Sequence, residues 1–350
     1  MQLDKQTCAG SQLKQICICT FLLLVSSRVY GVQSQSPTPT ETSAIFELVT
    51  LGDAGGIQDG NLSAFLFRVL SEPNYIALDA GTVINGINVS LANNAFKDLE
   101  LNKDKQLSIT GNILHHHIKG YLISHAHLDH VAGLLIAAPD DSNKPIYALR
   151  SVNLTMRDSY FNWKAWPNFT NRGIPPLLNK YQVIDLVPQQ GLKLKNTLLK
   201  VTAFSLSHPV ESTAFVIEYQ NNLFVYFGDT GPDEVEKQGN LAAIWHYLAK
   251  QMQTKTLRGL VIEVSFDNQQ PDNLLFGHLT PKWLLSELTY FYSLVEQKQQ
   301  FQSMGVIISH IKYSLESGLD PRDKIQQELQ QKNTLGFNFM LAKQGQRIIL

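Results

Sequence analysis

Cysteine is almost absent from this chain of 350 residues, which contains three cysteines. All three lie near the amino terminus, at Cys8, Cys17 and Cys19. The rest of the chain therefore cannot form disulfides, which excludes the small disulfide-stapled folds found among secreted proteins. Any zinc site in it must use histidine and carboxylate ligands, because thiolate ligands are missing.

A strong charge of either sign is also missing, since the formal net charge of the whole chain is −1. Residues 1–31 contain three basic residues and one acidic residue, so the chain without them carries a net charge of −3. Proteins that bind polyanions present clusters of lysine and arginine. We therefore expect no nucleic acid partner.

The chain has no apolar run long enough for a comfortable transmembrane helix, which needs about 20 residues. The apolar run at residues 16–25 follows Lys5 and Lys14. It precedes residues 29–31, whose small or medium-sized side chains offer a cleavage point. A basic start, a short apolar run and such a cleavage point are typical of a secretory signal peptide. We predict that residues 1–31 are removed and that the protein is exported, either to the periplasm or as a secreted protein. An uncleaved anchor is the alternative.

Proline, serine, threonine and glutamine dominate residues 32–43, a composition that is typical of a solvated linker. We predict a flexible leader there and the start of the folded domain near Ala44. Residues 44–350 show no internal repeat and no second linker, and they are numerous enough to bury a large core. The sequence therefore predicts one domain over residues 44–350.

Apolar runs bounded by turn residues predict strands first, and strands alternating with helices later. The predicted strands are 45–51, 64–70, 75–78, 120–124, 146–149, 198–206, 213–219, 223–227, 260–264 and 305–309. The predicted helices are 131–137, 234–253, 281–297 and 321–331. The opening strands indicate a meander, and the whole pattern predicts an α/β fold with two sheets covered by helices. For the three histidines at 115–117, which stand in a polar stretch, we predict a surface loop.

Four metal-binding side chains stand within six residues directly after a predicted strand. His125 and His127 are two residues apart in an extended segment, so both project to the same side and can bind one metal ion. Asp129 and His130 follow at the start of a predicted helix, from which they face the same opening at another angle. Imidazole and carboxylate ligands suit borderline cations such as zinc. A surface cluster with incidental affinity is the alternative, but the position between two apolar elements favours a site for two divalent metal ions.

Three further polar residues come directly after predicted strands. His208, Asp229 and His310 each follow an apolar run in this way. Such a residue alone more often forms a cap, a core contact or a turn. Together with the first cluster, however, the three indicate a shared metal site that is assembled from distant segments.

These residues resemble the metallo-β-lactamase superfamily, in which a His-x-His-x-Asp-His motif is followed by a lone His, an Asp and a final His. The segment from His125 to Leu134 also meets the signature His-x-His-Leu-Asp-His-x-x-Gly-Leu of its class II cyclic-nucleotide phosphodiesterases. The resemblance covers nearly the whole of residues 44–350. It includes the segments 51–56, 61–63, 78–82, 263–266 and 277–281.

This resemblance implies a single-domain αββα four-layer sandwich, with the metal ions at the edge shared by its two sheets. It also implies two ligand sets that share one carboxylate: His125, His127 and His208 for one ion, Asp129, His130 and His310 for the other, and Asp229 as the bridge. Asp79 resembles the buried acid that fixes the loop below the site in this superfamily. An ordinary Asp-Ala-Gly turn is the alternative for Asp79.

Two divalent cations about 3.5 to 4 Å apart lower the pKa of a bridging water and neutralise a phosphoryl oxygen, which favours phosphoester hydrolysis. The family's activity implies attack of that metal-bound hydroxide on a 3′,5′-cyclic nucleotide, cyclic AMP or cyclic GMP, to give the 5′-monophosphate. Asp129 would orient the nucleophile besides binding metal. Our candidate for the general acid is His278, in a Gly-His-Leu-Thr segment similar to one in ribonuclease Z enzymes. Whether Glu263 partners it stays open, because no histidine stands beside Glu263 here.

Other functions stay open from the sequence. Ribonuclease Z has the same ligand set, but an RNA substrate favours a basic arm, and the net charge and expected export argue against it. Another small-ester hydrolase of the superfamily, of arylsulfatase or lactonase type, fits the same ligands. A catalytically inactive metal-binding or ligand-binding module is a further alternative. The sequence predicts neither the oligomeric state nor a preference between cyclic AMP and cyclic GMP.

Overall fold

The structure is a computed structural model, and it describes residues 44–318 and 320–350. The signal peptide and the flexible leader predicted for residues 1–43 lie outside the described residues. Residues 44–350 form one compact unit. Within the described part of the chain, no helix is both long enough and apolar enough to cross a membrane.

The first sheet consists mainly of strands in which almost every residue is buried, as expected when both faces are covered. Its strands, in spatial order, are β16 (Arg347–Ile349), β1 (Phe46–Gly52), β3 (Ala64–Val69), β4 (Tyr75–Leu78), β5 (Ile118–Leu122), β6 (Lys144–Leu149) and β7 (Tyr181–Leu186). Strands β1, β3 and β4 are antiparallel neighbours, as in the predicted meander, and β4 to β7 run parallel. Parallel strands end at the same edge, so the residues that follow β4 and β5 are brought together.

The second sheet also has seven strands in the described ranges of the chain. Its strands, in spatial order, are β15 (Asn338–Leu341), β13 (Gly305–Ser309), β12 (Thr256–Glu263), β11 (Asn222–Phe227), β10 (Ser212–Tyr219), β9 (Lys200–Leu206) and β8 (Gly191–Lys193). Strands β11, β12, β13 and β15 are parallel. A short parallel pair, β2 (Ala54–Gly55) with β14 (Ile311–Lys312), joins the loop after β1 to the segment after β13.

Helices cover the outer face of each sheet. Those described are α1 (Ile84–Ala92), α2 (Ile109–Asn112), α3 (Leu128–Ala137), α4 (Arg150–Ser159), α5 (Asp233–Glu236), α6 (Asn240–Gln251), α7 (Pro281–Leu294), α8 (Gln300–Ser303) and α9 (Pro321–Lys332), with a π-helical turn at Ile113–His117 and a 3₁₀ turn at Asp272–Leu274. Apolar residues of α1, α3 and α4 belong to the core of the first sheet. Apolar residues of α6, α7 and α9 form a second core with the outer face of the second sheet.

The two sheets face each other through aromatic and aliphatic side chains. Phe67 of β3 stacks on Phe224 of β11, with ring centroids 4.3 Å apart. Phe65 and Tyr226 make an edge contact between the same two strands, at 5.9 Å. Helix, sheet, sheet and helix therefore form four layers, which confirms the predicted αββα sandwich.

Several elements differ from the predictions. The helix predicted for 234–253 is two helices, because Lys237 and Gly239 adopt left-handed backbone angles between α5 and α6. Strands β7, β8, β15 and β16 and helices α1 and α4 were not predicted. Helix α4 mixes polar and apolar residues, and it buries Val152, Asn153 and Met156 on one face.

The surface loop predicted for residues 115–117 is wrong. The three histidines end the π-helical turn that leads into β5, and His117 is fully buried. Its ring nitrogens lie 2.8 Å from Pro73 O and 3.1 Å from Glu100 O. This histidine therefore joins the turn to two other loops by hydrogen bonds, a role that a polar sequence context does not reveal.

Candidate metal centre and active site

The predicted ligands come from four strands of both sheets and meet at one edge of the sandwich. Each follows a strand or begins a helix: His125 and His127 come after β5, Asp129 and His130 begin α3, His208 follows β9, Asp229 follows β11 and His310 follows β13. The structure brings all seven together in two adjacent clusters. These strands are largely apolar and buried, and the polar side chains that follow them reach this edge.

The first cluster contains His125, His127, His208 and Asp229, whose ligand atoms lie within 4.8 Å of one another. His127 Nδ1 lies 3.1 Å from His125 Nε2 and 3.3 Å from His208 Nε2. Three ring nitrogens thus point at one small volume. Such a convergence of donors is the arrangement that a bound cation requires.

The second cluster contains Asp129, His130 and His310. Asp229 lies between the clusters, because its Oδ1 is 3.2 Å from His130 Nε2 and its Oδ2 is 3.2 Å from His310 Nε2. The same Oδ2 is 3.7 Å from His125 Nε2 in the first cluster. Asp229 is therefore placed to contact both clusters at once.

Four of the histidine rings are oriented by an oxygen atom on their outer side. The contacts are His125 Nδ1 to Ser124 Oγ at 3.0 Å, His130 Nδ1 to Asp79 Oδ2 at 2.7 Å, His208 Nδ1 to Gly277 O at 2.9 Å and His310 Nδ1 to Ser265 Oγ at 3.0 Å. A ring whose Nδ1 donates outward keeps a lone pair on Nε2 for the centre. His127 differs, since its Nδ1 faces the other rings.

His130 provides a test of whether the cluster fits a metal. Its Nε2 is buried and has no hydrogen-bond partner among the described residues, although Asp229 Oδ1 is 3.2 Å away. Burial acts to lower the pKa of His130, but the carboxylates of Asp229, Asp79 and Asp129 outweigh it and raise that pKa, so a proton on the ring balances their charge. A divalent cation bound by Nε2 and Asp229 would replace that proton, so a buried ring nitrogen that faces carboxylates fits a metal ligand.

The protonation states also suit metal ligands, which must be deprotonated. Burial lowers the pKa of His125 well below its ordinary value, and it lowers the pKa of His208 to about 4. Burial acts to raise the pKa of Asp229, but the histidines His310 and His130 outweigh it and hold that pKa well below the usual range. His125 and His208 are therefore neutral imidazoles and Asp229 is an ionised carboxylate at neutral pH. His130 is the exception: despite burial, the surrounding carboxylates raise its pKa well above the usual value, so this ring must release a proton when it binds a metal ion.

Asp79 lies beneath the centre and supports it. This fully buried carboxylate accepts four hydrogen bonds of 2.7 Å, from Ser124 N, Ser124 Oγ, His130 Nδ1 and Tyr226 OH. The four bonds fix both the loop after β5 and the ring of His130. The turn alternative raised by the sequence does not account for them.

His278 and Glu263, whose association the sequence left open, are in contact. His278 Nδ1 lies 2.8 Å from Glu263 Oε1, and Glu263 also accepts from Thr230 N at 2.9 Å. Burial acts to lower the pKa of His278, but the Glu263 carboxylate outweighs it and raises that pKa. His278 Nδ1 is also 3.9 Å from Asp229 Oδ2, and its ring stacks on that of His310 with centroids 5.4 Å apart, so the pair borders the second cluster at His310.

Several supporting residues carry no sequence signal that singles them out. Serines such as Ser124 and Ser265 are common in loops, and only the fold shows that they touch ligand histidines. The glycine pair Gly55-Gly56 is easier to recognise in the sequence. In the structure, Gly56 N donates to Asp129 Oδ2 at 2.8 Å. A Cβ on Gly55 would lie 2.4 Å from His310 Cε1, so glycine is needed for that close approach.

Residues 46–345 match the protein family described as class-II cAMP phosphodiesterases. The chain belongs to this family. Membership confirms the resemblance seen in the segment from His125 to Leu134. The matched region also includes all seven candidate ligands as well as Glu263 and His278.

Curated relatives agree with this assignment. The chain is 47% identical over 305 residues to a 3′,5′-cyclic-nucleotide phosphodiesterase of Aliivibrio fischeri, a match that covers 87% of this chain and 92% of the relative. It is 44% identical over 305 residues to a probable 3′,5′-cyclic-nucleotide phosphodiesterase of Yersinia pestis, covering 87% and 89% of the two chains. This phosphodiesterase chain therefore aligns with nearly the full length of both relatives.

Solved structures agree with the fold. Unliganded yeast PDE1 superposes with a TM-score of 0.76 at 21% identity, covering 88% of this chain and 100% of the other. The metallo-β-lactamase fold protein YhfI from Bacillus subtilis superposes with a TM-score of 0.54 at 17% identity, covering 87% and 99%. At these identities the likeness establishes the metallo-β-lactamase fold of the phosphodiesterase chain.

Proposed function

We propose that this protein hydrolyses 3′,5′-cyclic nucleotides, cyclic AMP, cyclic GMP or both, to nucleoside 5′-monophosphates. The observation that carries the proposal is the pair of histidine clusters around Asp229 in a chain of the class-II family. Two adjacent metal ions can stabilise both the attacking and the leaving oxygen of an in-line displacement at phosphorus. Family membership and geometry thus support the same chemistry.

The metal ions in this proposal are two Zn²⁺ ions. Zinc accepts histidine nitrogen together with carboxylate oxygen, whereas calcium and magnesium prefer oxygen ligands. His125, His127 and His208 would hold one ion, Asp129, His130 and His310 would hold the other, and Asp229 would bridge them. When bound, the two ions supply a water of lowered pKa and positive charge for the phosphoryl group.

Asp129 has a second role in the proposal, which is to orient the attacking water. Its side chain is 15% exposed, whereas that of Asp229 is 3% exposed, so Asp129 borders the open side of the centre. Gly56 N donates to Asp129 Oδ2 at 2.8 Å and restrains the carboxylate. A carboxylate restrained in this way can accept a hydrogen bond from a water on the open side.

His278 is the proposed general acid for the departing 3′ oxygen. This oxygen leaves as an alkoxide unless it is protonated, and a positioned acid contributes about 10² to 10⁴ in rate. The Nδ1–H of His278 donates to Glu263, so Nε2–H is the proton available for the leaving oxygen. Because Glu263 outweighs burial and raises the pKa of His278, the protonated ring persists closer to neutral pH.

The proposed location is outside the cytosol, in the periplasm or secreted, after removal of residues 1–31 as a signal peptide. The support is the sequence there, in which Lys5 and Lys14 precede a short apolar run. Amino-terminal sequencing of the protein from each cell fraction tests this. A chain that begins near Val32 outside the cytosol supports export, and an uncut chain in the cytosol contradicts it.

Hydrolysis of cyclic AMP and cyclic GMP by the purified protein, with identification of products, tests the proposed activity. The wild-type protein should form 5′-monophosphates, and both the Asp129→Ala variant and a chelator-treated sample should lose this activity. Asp140→Ala removes an exposed carboxylate and is the matched control, which should retain it. Turnover of an aryl sulfate or a lactone, without any hydrolysis of cyclic nucleotides, would contradict the proposal.

A further inference from the structure

Ser265 is a buried hydroxyl between a candidate metal ligand and the proposed acid pair. Its Oγ lies 2.6 Å from Glu263 Oε2, 3.0 Å from His310 Nδ1 and 3.2 Å from His278 Nδ1. The same atom lies 3.1 Å from the backbone oxygen of His310. The residue is 1% exposed, so water does not readily replace these partners.

The hydrogen of this hydroxyl can be assigned from the geometry. A serine has one hydrogen to donate, and the shortest contact identifies Glu263 Oε2 as the acceptor. Ser265 Oγ can then accept from the Nδ1–H of His310. This fixes the tautomer of His310 and leaves the lone pair of Nε2 toward Asp229, at 3.2 Å.

The backbone of His310 shows why such support is needed. Its φ is +56°, in the left-handed region, which is strained for a residue other than glycine. The conformation persists only where neighbours hold it: His310 N donates to Asp53 O at 2.8 Å, and Gly55 packs against the ring. Ser265 Oγ restrains the ring of the same residue by accepting from its Nδ1–H.

A second serine shows the same arrangement elsewhere in the centre. Ser124 Oγ lies 3.0 Å from His125 Nδ1 and donates to Asp79 Oδ2 at 2.7 Å. The two arrangements differ in the histidine that donates to the carboxylate. Asp79 accepts from His130, another candidate metal ligand, whereas Glu263 accepts from the proposed general acid.

We propose that Ser265 is a positioning residue that fixes His310 and the Glu263–His278 pair relative to each other. One hydroxyl then determines both the direction of a metal ligand and the place of the proton donor. The catalytic part of this inference rests on the proposed function. The part that concerns the metal ligand does not.

The test compares Ser265→Ala with Ser309→Ala, a buried serine of β13 whose Oγ lies 3.5 Å from Asp53 O. Zinc affinity is measured without substrate, by competition with a chromophoric chelator. Ser265→Ala should weaken the binding of one zinc ion by about 10- to 100-fold and leave the other unchanged. Ser309→Ala should leave both affinities at the wild-type level.

Turnover of cyclic nucleotide at saturating zinc gives a second readout. Ser265→Ala should lower kcat by about 10-fold or more, with KM little changed, because the acid pair is displaced while the metal ions are present. Ser265→Thr keeps the hydroxyl and should recover zinc affinity. Ser265→Gly removes the same hydroxyl by a different change and carries the same expectation as Ser265→Ala.

Two results would overturn the role of Ser265. One is an equal loss at both zinc sites, which indicates general disruption. The other is zinc affinity and kcat in Ser265→Ala and Ser265→Gly that match Ser309→Ala. A wild-type protein that binds two zinc ions but hydrolyses no cyclic nucleotide contradicts the proposed function instead, and the zinc affinities of the variants still decide the role of Ser265.

Discussion

The centre rests on two buried carboxylates, one from each sheet, that differ in what they hold. Asp79 follows β4 of the first sheet and accepts from Ser124 N, Ser124 Oγ, His130 Nδ1 and Tyr226 OH. Glu263 ends β12 of the second sheet and accepts from Ser265 Oγ, His278 Nδ1 and Thr230 N. Both carboxylates are paired with a serine that also contacts a ligand histidine.

The difference between the two supports separates metal binding from proton transfer. The side-chain partners of Asp79 are a candidate metal-ligand histidine, a serine and a tyrosine, so loss of its charge should act through metal affinity. Glu263 holds His278, which the proposed mechanism uses as the acid. Loss of the Glu263 charge should therefore lower the rate of hydrolysis mainly for substrates whose leaving group needs a proton.

The largest effect is expected at Asp229, which both halves of the centre share. Asp229→Asn removes the charge that lies 3.2 Å from His130 Nε2 and from His310 Nε2. The loss of several kcal/mol of metal-derived stabilisation should lower turnover by about 10³-fold or more. Metal content measured by mass spectrometry, beside turnover, checks this. A variant that keeps two metals and half of its activity would show that Asp229 does not bridge the clusters.

A smaller loss is expected when the acid is removed and the metals stay. His278→Gln should lower kcat for cyclic nucleotide by about 10² to 10⁴, because no proton is supplied to the leaving oxygen. Metal content should match the wild type. The control is His246→Gln on α6, an exposed histidine whose Nε2 lies 2.9 Å from Tyr290 OH. Equal activity of the two variants would remove His278 from the reaction.

Asp79→Asn should act through metal affinity. The amide keeps the shape of the side chain but weakens the hold on His130 and on the loop at Ser124. Zinc affinity should fall by about 10- to 100-fold, and excess zinc should restore most of the turnover. Titration of the apo variant with zinc, followed by activity, measures both. Persistent loss of activity at saturating zinc would show that Asp79, like Glu263, does not act through metal affinity alone.

Glu47 is a third buried carboxylate and serves as the reference, because its loss should change stability and leave catalysis unchanged. Glu47 on β1 accepts from Arg68 Nε at 2.9 Å and from Arg347 Nε at 2.8 Å, and it also contacts Tyr75. Glu47→Gln leaves the buried Arg68 without a charged partner, while Arg347 keeps Asp98, and it should lower the free energy of unfolding by about 3 to 5 kcal/mol. Urea unfolding measures this loss, while kcat should not change.

The contribution of Glu47 should also depend on pH. Burial acts to raise the pKa of Glu47, but Arg68, Tyr75 and Arg347 outweigh it and lower that pKa in the folded state. The carboxylate therefore stabilises the fold above its unfolded pKa of about 4.3 and loses this effect as pH falls through the lower folded value. The difference in unfolding free energy between wild type and Glu47→Gln should shrink over that range. A constant difference would contradict the assignment.

The candidate metal ligands could be placed from the sequence because each follows a strand that is largely apolar. The strands before His208, Asp229 and His310 are mostly buried, and a polar residue just after such a strand lies at an edge of the sheet. Helix α4 and strand β7 were missed because they mix polar and apolar residues. Apolar runs bounded by turn residues thus reveal buried strands more readily than short elements that are partly exposed.

The family resemblance indicated Asp79 as a supporting acid and raised Glu263 as a partner of His278, but the spacing of residues in the sequence did not predict the contacts of these supporting residues. The contact between Glu263 and His278 joins residues 15 positions apart, and the one between His130 and Asp79 joins residues 51 positions apart. Neither pair has a spacing that a single element dictates. Ser265 is even less visible, since a hydroxyl gains its role only from the two histidines and the carboxylate that the fold places around it.

The most direct test of the division between the two supports compares Glu263→Gln with Asp79→Asn on two substrates at saturating zinc. Cyclic AMP has a leaving group that needs a proton, and bis-para-nitrophenyl phosphate has one that does not. Glu263→Gln should lose at least about 10-fold more activity on cyclic AMP than on the aryl ester, because the acid is impaired. Asp79→Asn should lose equally on both. Equal losses on the two substrates in Glu263→Gln would contradict the account.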